Sequence, residues 1–266
     1  MINLFFFDVD GTLLDNKSHT ISESTIKALR MLKEAGKKIV ICSGRGYNGI
    51  REVEALRAIE WDGYVLLNGA IFTDGNGNEH FRHVMSKTLI RKLMKASKEH
   101  NLVLSLLGEK EWLNQEPDEY TVKAYHFFHR NPYEFEVEAL DETKSVSMAL
   151  AFGPEEWDYA PYKAIKELLV LPTKFNYADL NDASINKSVG IKEACRYFDI
   201  DLKQTMAFGD GINDLEMIEA AGIGVAMGQG NEVVKQAADF ITDAVDQDGI
   251  WNALIHFGVL HGDQSA

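Results

Sequence analysis

The sequence predicts an α/β fold, in which a doubly wound, Rossmann-like parallel sheet is interrupted by an inserted α+β domain. Short apolar segments alternate with amphipathic segments up to residue 68 and again from Ser188, as in βαβ units. Between residues 82 and 185, hairpin-like and helical signals replace this order. The 266 residues also exceed the ~100–150 usual for one domain. We therefore predict one core formed by residues 1–81 and 186–266, with residues 82–185 inserted.

The first elements of the core follow from hydrophobic runs and helix-capping residues. Ile2–Val9 is an almost continuous apolar and aromatic run, which indicates a strand buried on both faces. Ser22 is placed to cap the next helix and Gly36 to end it. The elements that follow are a helix over 22–34, a strand over 38–42, a helix over 47–57 and a strand over 64–67.

The insert is introduced by a change of pattern after residue 68. Ile71–Thr73 and His80–Arg82 flank a Gly/Asn-rich turn, which predicts a hairpin. Within the insert we predict helices over 86–100, 118–128 and 157–169, strands over 102–107, 146–152 and 174–180, and a short segment around Trp112. Such a mixture is typical of α+β domains.

The doubly wound order returns in the last part of the chain. The predicted helices there cover 188–198, 214–221, 232–238 and 250–257, and the predicted strands cover 205–208, 223–226 and 240–241. These elements would extend the parallel sheet of the first part.

The composition of the chain disfavours several classes of binding partner. The chain has 27 Lys and Arg against 41 Asp and Glu, a formal net charge of −14, so it lacks the positive field that attracts nucleic acid or anionic lipid. Cys42 and Cys195 match no metal or disulfide spacing. The N-terminal apolar run is short and has no basic region before it, and no later stretch is long enough to span a bilayer. We expect a cytoplasmic protein with no membrane, nucleic-acid or obligate protein partner.

Three polar clusters follow predicted strands, at the edge where parallel sheets bind their ligands. They are Asp8–Thr12, Ser43–Arg45 and Gly209–Asp214. The period of two in a strand would point the Asp8 and Asp10 carboxylates the same way, and such a pair requires a cation or a shared proton. Carboxylate oxygens without His or Cys favour Mg²⁺, which takes its remaining ligands from water and substrate phosphate.

Phosphate chemistry suggests roles for two acids of the first cluster, for Ser43 of the second and for a lysine. Asp8 can attack phosphorus and form an aspartyl-phosphate, and Asp10 can protonate the leaving oxygen and then deprotonate water. Ser43 would donate to the phosphoryl oxygens, and Lys187 would supply positive charge.

These motifs resemble those of the haloacid dehalogenase superfamily of phosphohydrolases, and within it the Cof-type sugar-phosphate phosphatases. Asp8–Leu13, Ser43–Arg45, Lys187 and Gly209–Asp214 match the family's four motifs in order, with Ser188 where relatives usually have Gly.

The resemblance implies a role for each matching residue. Asp8 would be nucleophile and Mg²⁺ ligand, and Asp10 would be general acid/base and a ligand through its backbone carbonyl. Asp210 would be the second carboxylate ligand, and Asp214 would support the metal. Residues implied to bind the substrate phosphate are Ser43, Gly44, Lys187 and Asn213. The insert would be a type IIB α/β cap that selects the leaving group.

Several of these residues also have ordinary structural interpretations. Ser43 could cap the following helix, and Asp214 could cap or begin the next one. Lys187 on its own would be a solvated lysine. Gly44–Gly49 spells G-x-G-x-x-G, but the next strand ends at Asn68 rather than at an acid, which disfavours a dinucleotide site.

Two possible metal motifs are disfavoured. Asp74–Asn78 begins like a calcium loop, but Glu79 and Met85 stand where Gly and Glu are required, so a hairpin turn is favoured. His126 and His129 share a helical face but have no companion ligand nearby.

The sequence thus predicts a Mg²⁺-dependent phosphatase acting on a small phosphorylated molecule, and the resemblance suggests a hexose phosphate. Alternatives are a sugar phosphomutase of the same fold, a phosphatase of another small phosphate such as a phosphorylated cofactor, and a sugar-phosphate-binding regulator without turnover. NAD-dependent oxidoreduction is the weakest option. Residues of the insert that could select the leaving group are Trp112, Tyr120, Tyr125 and His126.

Overall fold

The chain forms two β-sheets, each in a separate unit. The structure, a computed structural model, describes residues 1–127, 130–139, 144–173 and 175–261. One unit is Met1–Phe81 with Asn186–Ala266, and the other is Arg82–Ile185.

The strands and helices are as follows. The strands are β1 Leu4–Phe7, β2 Lys38–Cys42, β3 Gly63–Leu66, β4 Ile71–Asp74, β5 Glu79–Arg82, β6 Leu104–Leu107, β7 Glu111–Leu113, β8 Met148–Phe152, β9 Leu168–Pro172, β10 Tyr177–Asp182, β11 Thr205–Gly209, β12 Ile223–Ala226 and β13 Phe240–Ile241. The α-helices are α1 Glu23–Glu34, α2 Tyr47–Arg51, α3 Glu54–Arg57, α4 Lys87–His100, α5 Glu119–Phe127, α6 Ala160–Lys163, α7 Lys187–Phe198, α8 Leu215–Ala220, α9 Glu232–Ala237 and α10 Gly249–His256.

The first unit is built on an eight-stranded sheet with the order β13-β12-β11-β1-β2-β3-β4-β5. The strands from β13 to β3 are parallel, and β4 pairs antiparallel with β3. From β1 the chain first builds outwards through β2 and β3, and later through β11, β12 and β13 on the other side. The predicted doubly wound α/β fold is therefore confirmed, and the reversal of direction lies beside β1.

Both faces of this sheet are apolar because its strands are covered by helices. On one face, Phe6 and Val40 pack in a cluster with residues of α7, α8 and α9, such as Ile191 and Met217. On the other face Phe7 stacks on Phe208, and α1 packs against β2 and α10. Burial on both faces explains why these strands read as continuous hydrophobic runs.

Capping residues begin the helices where the sequence places them. Ser22 accepts a hydrogen bond from the Thr25 amide at 3.2 Å, and Ser86 accepts one from the Leu89 amide at 3.2 Å. Asn186 does the same for the Ser188 amide at 3.0 Å, so α7 begins at Lys187. Each cap satisfies an amide that has no partner within its helix.

Two predicted helices differ from the structure. The helix predicted over 47–57 is divided into α2 and α3. The helix predicted over 157–169 is wrong, because only 160–163 are helical and Leu168–Pro172 form β9. Leu168–Pro172 pair antiparallel with β10, and this non-local pairing overrides the helical spacing of the apolar residues.

The second unit contains a five-stranded sheet with the order β7-β6-β8-β10-β9. One face is covered by α4 and α6 through a core that includes Leu93, Leu106 and Tyr162. In the parts of the chain that are described, no helix has the length and apolar character needed to cross a membrane.

Candidate active site

The polar clusters found in the sequence follow three strands that lie side by side. Asp8 follows β1, Ser43 follows β2 and Asp210 follows β11, and these strands are neighbours in the order β11-β1-β2. Lys187 is the first residue of α7, which packs on the same sheet. All of the candidate residues from the four motifs belong to the first unit.

Lys187 is fully buried, and its amine joins two of the acids. Its Nζ donates to Asp8 Oδ1 at 2.6 Å and to Asp214 Oδ1 at 2.5 Å. Burial alone would lower the pKa of Lys187, but the charges of Asp214 and Asp8 outweigh it and raise the pKa above its ordinary value. The amine is therefore a fixed positive charge at the strand ends, and the solvated lysine is excluded.

Asp8 is held in an environment that disfavours its charge. Burial, followed by the charge of Asp214, raises the pKa of Asp8 well above its usual range, against the opposing effect of Lys187. Its Oδ1 is bonded to Lys187, whereas Oδ2 accepts no hydrogen bond from the described residues. A cation beside this carboxylate would stabilise its ionised form.

Asp210 shares this environment. Burial and the charge of Asp214 raise its pKa from 3.8 to about 7. Thr12 Oγ1 donates to Asp210 Oδ1 at 3.2 Å. Gly11 has φ +92°, and a Cβ at this position would overlap the Asp210 carboxylate. The turn after β1 therefore approaches Asp210 closely only because residue 11 is glycine.

Asp8, Asp210 and Asp214 form an acidic cluster in which oxygen atoms from all three lie within 4.8 Å of one another. The carboxylate donor set, with no His or Cys, fits a hard divalent cation, which would also offset the like charges. Asp214 has its oxygens engaged by protein donors, however. Oδ1 accepts from Lys187, and Oδ2 accepts from the amides of Asp210 at 2.9 Å and Gly211 at 2.8 Å. Asp8 and Asp210 differ in that each has one oxygen, Oδ2, that accepts no hydrogen bond from the described residues.

Asp10 does not join the acidic cluster through its carboxylate. Strand β1 ends at Phe7, and the amides of Thr12, Leu13 and Leu14 all bond to the Val9 carbonyl in a tight turn. The period of two therefore does not continue through residue 10. The Asp10 carboxylate instead accepts two hydrogen bonds from Arg45, at 2.8 and 2.7 Å.

Ser43 is buried in the loop after β2, and its Oγ accepts a hydrogen bond from the Arg45 amide at 3.1 Å. The N-cap of α2 is Gly46, so Ser43 does not cap that helix, and its hydroxyl proton remains available for donation. Gly44 follows it, partly exposed.

Asn213 lies in a short 3₁₀ turn before α8, and its Nδ2 donates to Asn68 Oδ1 at 3.1 Å. Asn68 is a site neighbour that the sequence reasoning missed. It is 1% exposed, follows β3 at the same edge of the sheet and has φ 55°. An Asn-Gly pair directly after a parallel strand is the signal that could have indicated it.

Gln229, which the sequence reasoning also missed, joins two loops. Its Nε2 donates to the Gly11 carbonyl, and its Oε1 accepts from the Val245 amide at 3.0 Å. No local sequence pattern predicts this contact, because residues 11 and 229 are distant in sequence.

The candidate specificity residues of the insert have different environments. Trp112 and Tyr125 are buried in the second unit, 3% and 0% exposed, whereas Tyr120 is partly exposed and His126 exposed. His129 lies outside the described residues. The calcium-like segment is a turn, in which Asp74 Oδ1 accepts from the amides of residues 76 and 78, both at 2.9 Å.

Comparisons with known proteins match almost the whole chain. A family model described as haloacid dehalogenase-like hydrolase matches residues 5–254. YkrA of Bacillus subtilis is 30% identical over 257 residues, 97% of this chain and 98% of that protein. The 5-amino-6-(5-phospho-D-ribitylamino)uracil phosphatase YcsE of Bacillus subtilis is 29% identical over 258 residues, 96% of each chain. The structure of the HAD subclass IIB sugar phosphatase BT4131 has a TM-score of 0.84 at 31% identity and covers 97% of this chain and 100% of that chain.

Proposed function

The chain belongs to the haloacid dehalogenase-like hydrolases and is a phosphoric monoester hydrolase, and we propose that it is a Mg²⁺-dependent phosphatase of sugar phosphates that works through a phosphoryl group on Asp8. The observation that carries this proposal is the arrangement around Asp8. A buried carboxylate has one oxygen bonded to a buried lysine and the other without a hydrogen bond from any residue that the structure describes, in a cluster that suits a divalent cation. Such an oxygen is available to attack phosphorus.

The first step transfers the phosphoryl group. Asp8 Oδ2 forms a bond to phosphorus while the bond from phosphorus to the ester oxygen breaks. Asp10 gives a proton to that oxygen, so that the sugar leaves as an alcohol. Lys187, fixed by Asp8 and Asp214, places positive charge beside the transferring group.

The second step returns the enzyme to its first state. A water oxygen bonds to phosphorus, the bond to Asp8 breaks, and Asp10 takes the water proton. Inorganic phosphate leaves, and Asp8 is again a carboxylate and Asp10 again protonated. Ser43, directly after β2, and Asn213, in the turn between β11 and α8, are proposed to hold the phosphoryl oxygens, together with the backbone at Gly44.

Mg²⁺ would be held by the carboxylates of Asp8 and Asp210 and by the Asp10 carbonyl, and when bound it would neutralise charge on the phosphoryl oxygens. Asp214 is proposed to act beside these ligands. Its bonds to Lys187 and to the amides of Asp210 and Gly211 hold the loop after β11.

The leaving group is proposed from the relatives. BT4131 is described as a sugar phosphatase, and the name of YcsE describes a phosphate on a ribityl chain. A sugar phosphate and a phosphorylated ribityl chain are both phosphate monoesters of polyhydroxylated carbon chains. A hexose phosphate is our first candidate, and the ribitylaminouracil phosphate, a flavin precursor, is the second because YcsE is similar over 96% of this chain. The second unit, residues 82–185, is proposed to act as the cap that selects between them, in a cytoplasmic enzyme.

A substrate panel tests the proposal. Phosphate release from hexose phosphates, pentose phosphates and the ribityl phosphate is measured with and without Mg²⁺ for the wild type, Asp8→Asn and Asp246→Asn. Asp246 is an exposed acid outside the site, so its variant controls for the change of carboxylate to amide. We expect Asp8→Asn to lose activity by at least ~10³-fold because the nucleophile is removed, and Asp246→Asn to keep it.

Equal rates for wild type and Asp8→Asn would overturn the nucleophile assignment. Isomerised sugar phosphate without an equal amount of free phosphate would identify a phosphomutase instead.

A further inference from the structure

The side-chain pair of Asp10 and Arg45 is the feature from which a further role follows. Arg45 Nε donates to Asp10 Oδ2 at 2.8 Å, and Arg45 Nη2 donates to Asp10 Oδ1 at 2.7 Å. Two parallel hydrogen bonds between guanidinium and carboxylate fix both the distance and the plane of the carboxylate. Asp10 is therefore held in one orientation although it lies in a turn beyond the end of β1.

The backbone of Arg45 is itself anchored within the site. Its amide donates to Ser43 Oγ at 3.1 Å, and its carbonyl accepts from the Leu67 amide at 3.2 Å. Arg45 thereby connects the loop after β2 with the turn that carries Asp10. Since the side chains are 34% and 46% exposed, the pair contributes little to folding stability, and its geometry is better explained by the chemistry of Asp10.

We infer that Arg45 is a positioning residue that holds the Asp10 side chain in the orientation in which it takes the proton of the attacking water. This inference rests on the proposed function. Each oxygen of the paired carboxylate uses one lone pair on Arg45 and keeps another for water.

The step that depends on this pair is hydrolysis of the phosphorylated Asp8. The water oxygen bonds to phosphorus, the bond between Asp8 and phosphorus breaks, and the proton passes to Asp10 in the orientation that Arg45 holds. Without Arg45, the partly exposed Asp10 side chain samples other orientations, and fewer of them meet the water.

The dependence on Arg45 should differ between substrates. An aryl phosphate such as 4-nitrophenyl phosphate has a leaving group that departs without a proton, so Asp8 is phosphorylated without help from Asp10. An alkyl phosphate such as a hexose phosphate needs Asp10 in both steps. With the aryl ester, loss of Arg45 should therefore slow only hydrolysis of the phosphorylated Asp8. With the alkyl ester, it should slow both steps.

The experiment compares Arg45→Met, Arg45→Lys and the control Arg57→Gln with the wild type, all with Mg²⁺. Arg57 is an exposed arginine at the end of α3, outside the site. The measurements are the early time course of nitrophenolate and the amount of phosphorylated protein after acid quenching. For Arg45→Met we expect steady-state turnover to fall about 10- to 100-fold, with a burst of nitrophenolate and accumulated phosphoenzyme.

Arg45→Lys, which keeps the charge but not the two-bond geometry, should lie between Arg45→Met and the wild type, and Arg57→Gln should match the wild type. With a hexose phosphate, Arg45→Met should lose turnover without a burst. Thermal unfolding of Arg45→Met should stay close to that of the wild type, because the pair is exposed.

Two results would overturn the inference. One is a higher KM for Arg45→Met with unchanged kcat, which would make Arg45 a substrate-binding residue. The other is reduced turnover without phosphoenzyme accumulation. Failure of the proposed function itself is recognised separately, because Asp8→Asn would then turn over like the wild type.

Discussion

Lys187 shows how one residue connects folding and chemistry in this protein. Its amine is fully buried and bonded to Asp8, directly after β1, and to Asp214, in the turn between β11 and α8. Burial of an ion pair contributes little net stability compared with an apolar core, but loss of one member leaves an uncompensated charge. The arrangement is therefore better explained by the chemistry at Asp8 than by stability.

We expect Lys187→Met to lower the free energy of unfolding by about 3–5 kcal/mol, since two buried carboxylates lose their cation. Phosphatase activity should fall by at least ~10²-fold, since the charge beside the transferring group is lost. Urea unfolding and phosphate release measure these effects. Lys192→Met is the control, because Lys192 is exposed on the same helix. Equal stability and activity for the two variants would contradict the role of Lys187.

At the level of elements, the second unit depends on contacts that sequence patterns do not contain. The Tyr125 hydroxyl of α5 donates to Glu111 Oε1 of β7 at 2.6 Å, and its oxygen lies within hydrogen-bond distance of Ser105 Oγ of β6, at 2.9 Å. Arg130 donates to Glu111 Oε2 at 2.8 Å. Burial, followed by the charge of Glu111, raises the pKa of Tyr125 above its ordinary value, so its hydroxyl remains a donor. The network fixes α5 against two strands.

Tyr125→Phe should therefore lower the free energy of unfolding by about 1–3 kcal/mol, because Glu111 loses a buried donor and Ser105 loses a hydrogen-bond partner. Tyr133→Phe serves as the control, since Tyr133 is 65% exposed. Thermal or urea unfolding of both variants measures the change in the free energy of unfolding. A shift for Tyr125→Phe no larger than that for Tyr133→Phe would show that the network does not stabilise this unit.

For the whole molecule, the acids at the strand ends make stability depend on pH. The formal net charge is −14, and three of the acids, Asp8, Asp210 and Asp214, lie close together. Asp8 and Asp210 have raised pKa values in the folded chain, that of Asp210 about 7 against an ordinary value of 3.8. The folded state thus holds protons that the unfolded state has released. This stabilisation is complete below the ordinary pKa and is lost as the pH rises through the folded value. Asp74, whose pKa is lowered to about 2, does not change this dependence, because at pH values well above 3.8 its carboxyl is ionised in both the folded and the unfolded state.

We therefore expect the metal-free protein, kept in EDTA, to become less stable between about pH 4 and pH 8. Mg²⁺ should reduce this loss because it favours the ionised acids, and at a hundredfold excess over its Kd it should add about 2.7 kcal/mol. Thermal unfolding against pH measures both effects. Asp210→Asn should weaken them and Asp246→Asn should not. The same pH dependence with and without Mg²⁺ would argue against a metal at this site.

The fold class could be predicted from the sequence because its evidence is local. Ile2–Val9 is apolar throughout since β1 is buried on both faces, and Ser22 and Ser86 cap helices through side-chain bonds to amides three residues away. The helix predicted over 157–169 was wrong because Leu168–Pro172 pair with β10, a contact that no local pattern contains.

The sequence by itself determined the parallel α/β fold and the positions of Asp8, Ser43 and Asp210 after three strands, since both depend on hydrophobic spacing and on residues close in the chain. Only the tertiary structure decided that Lys187 is buried between Asp8 and Asp214, and that the Asp10 carboxylate is bonded to Arg45 instead of joining the acidic cluster. These contacts join residues up to 179 positions apart. Their geometry depends on strand order and turn conformation, which side-chain periodicity does not encode.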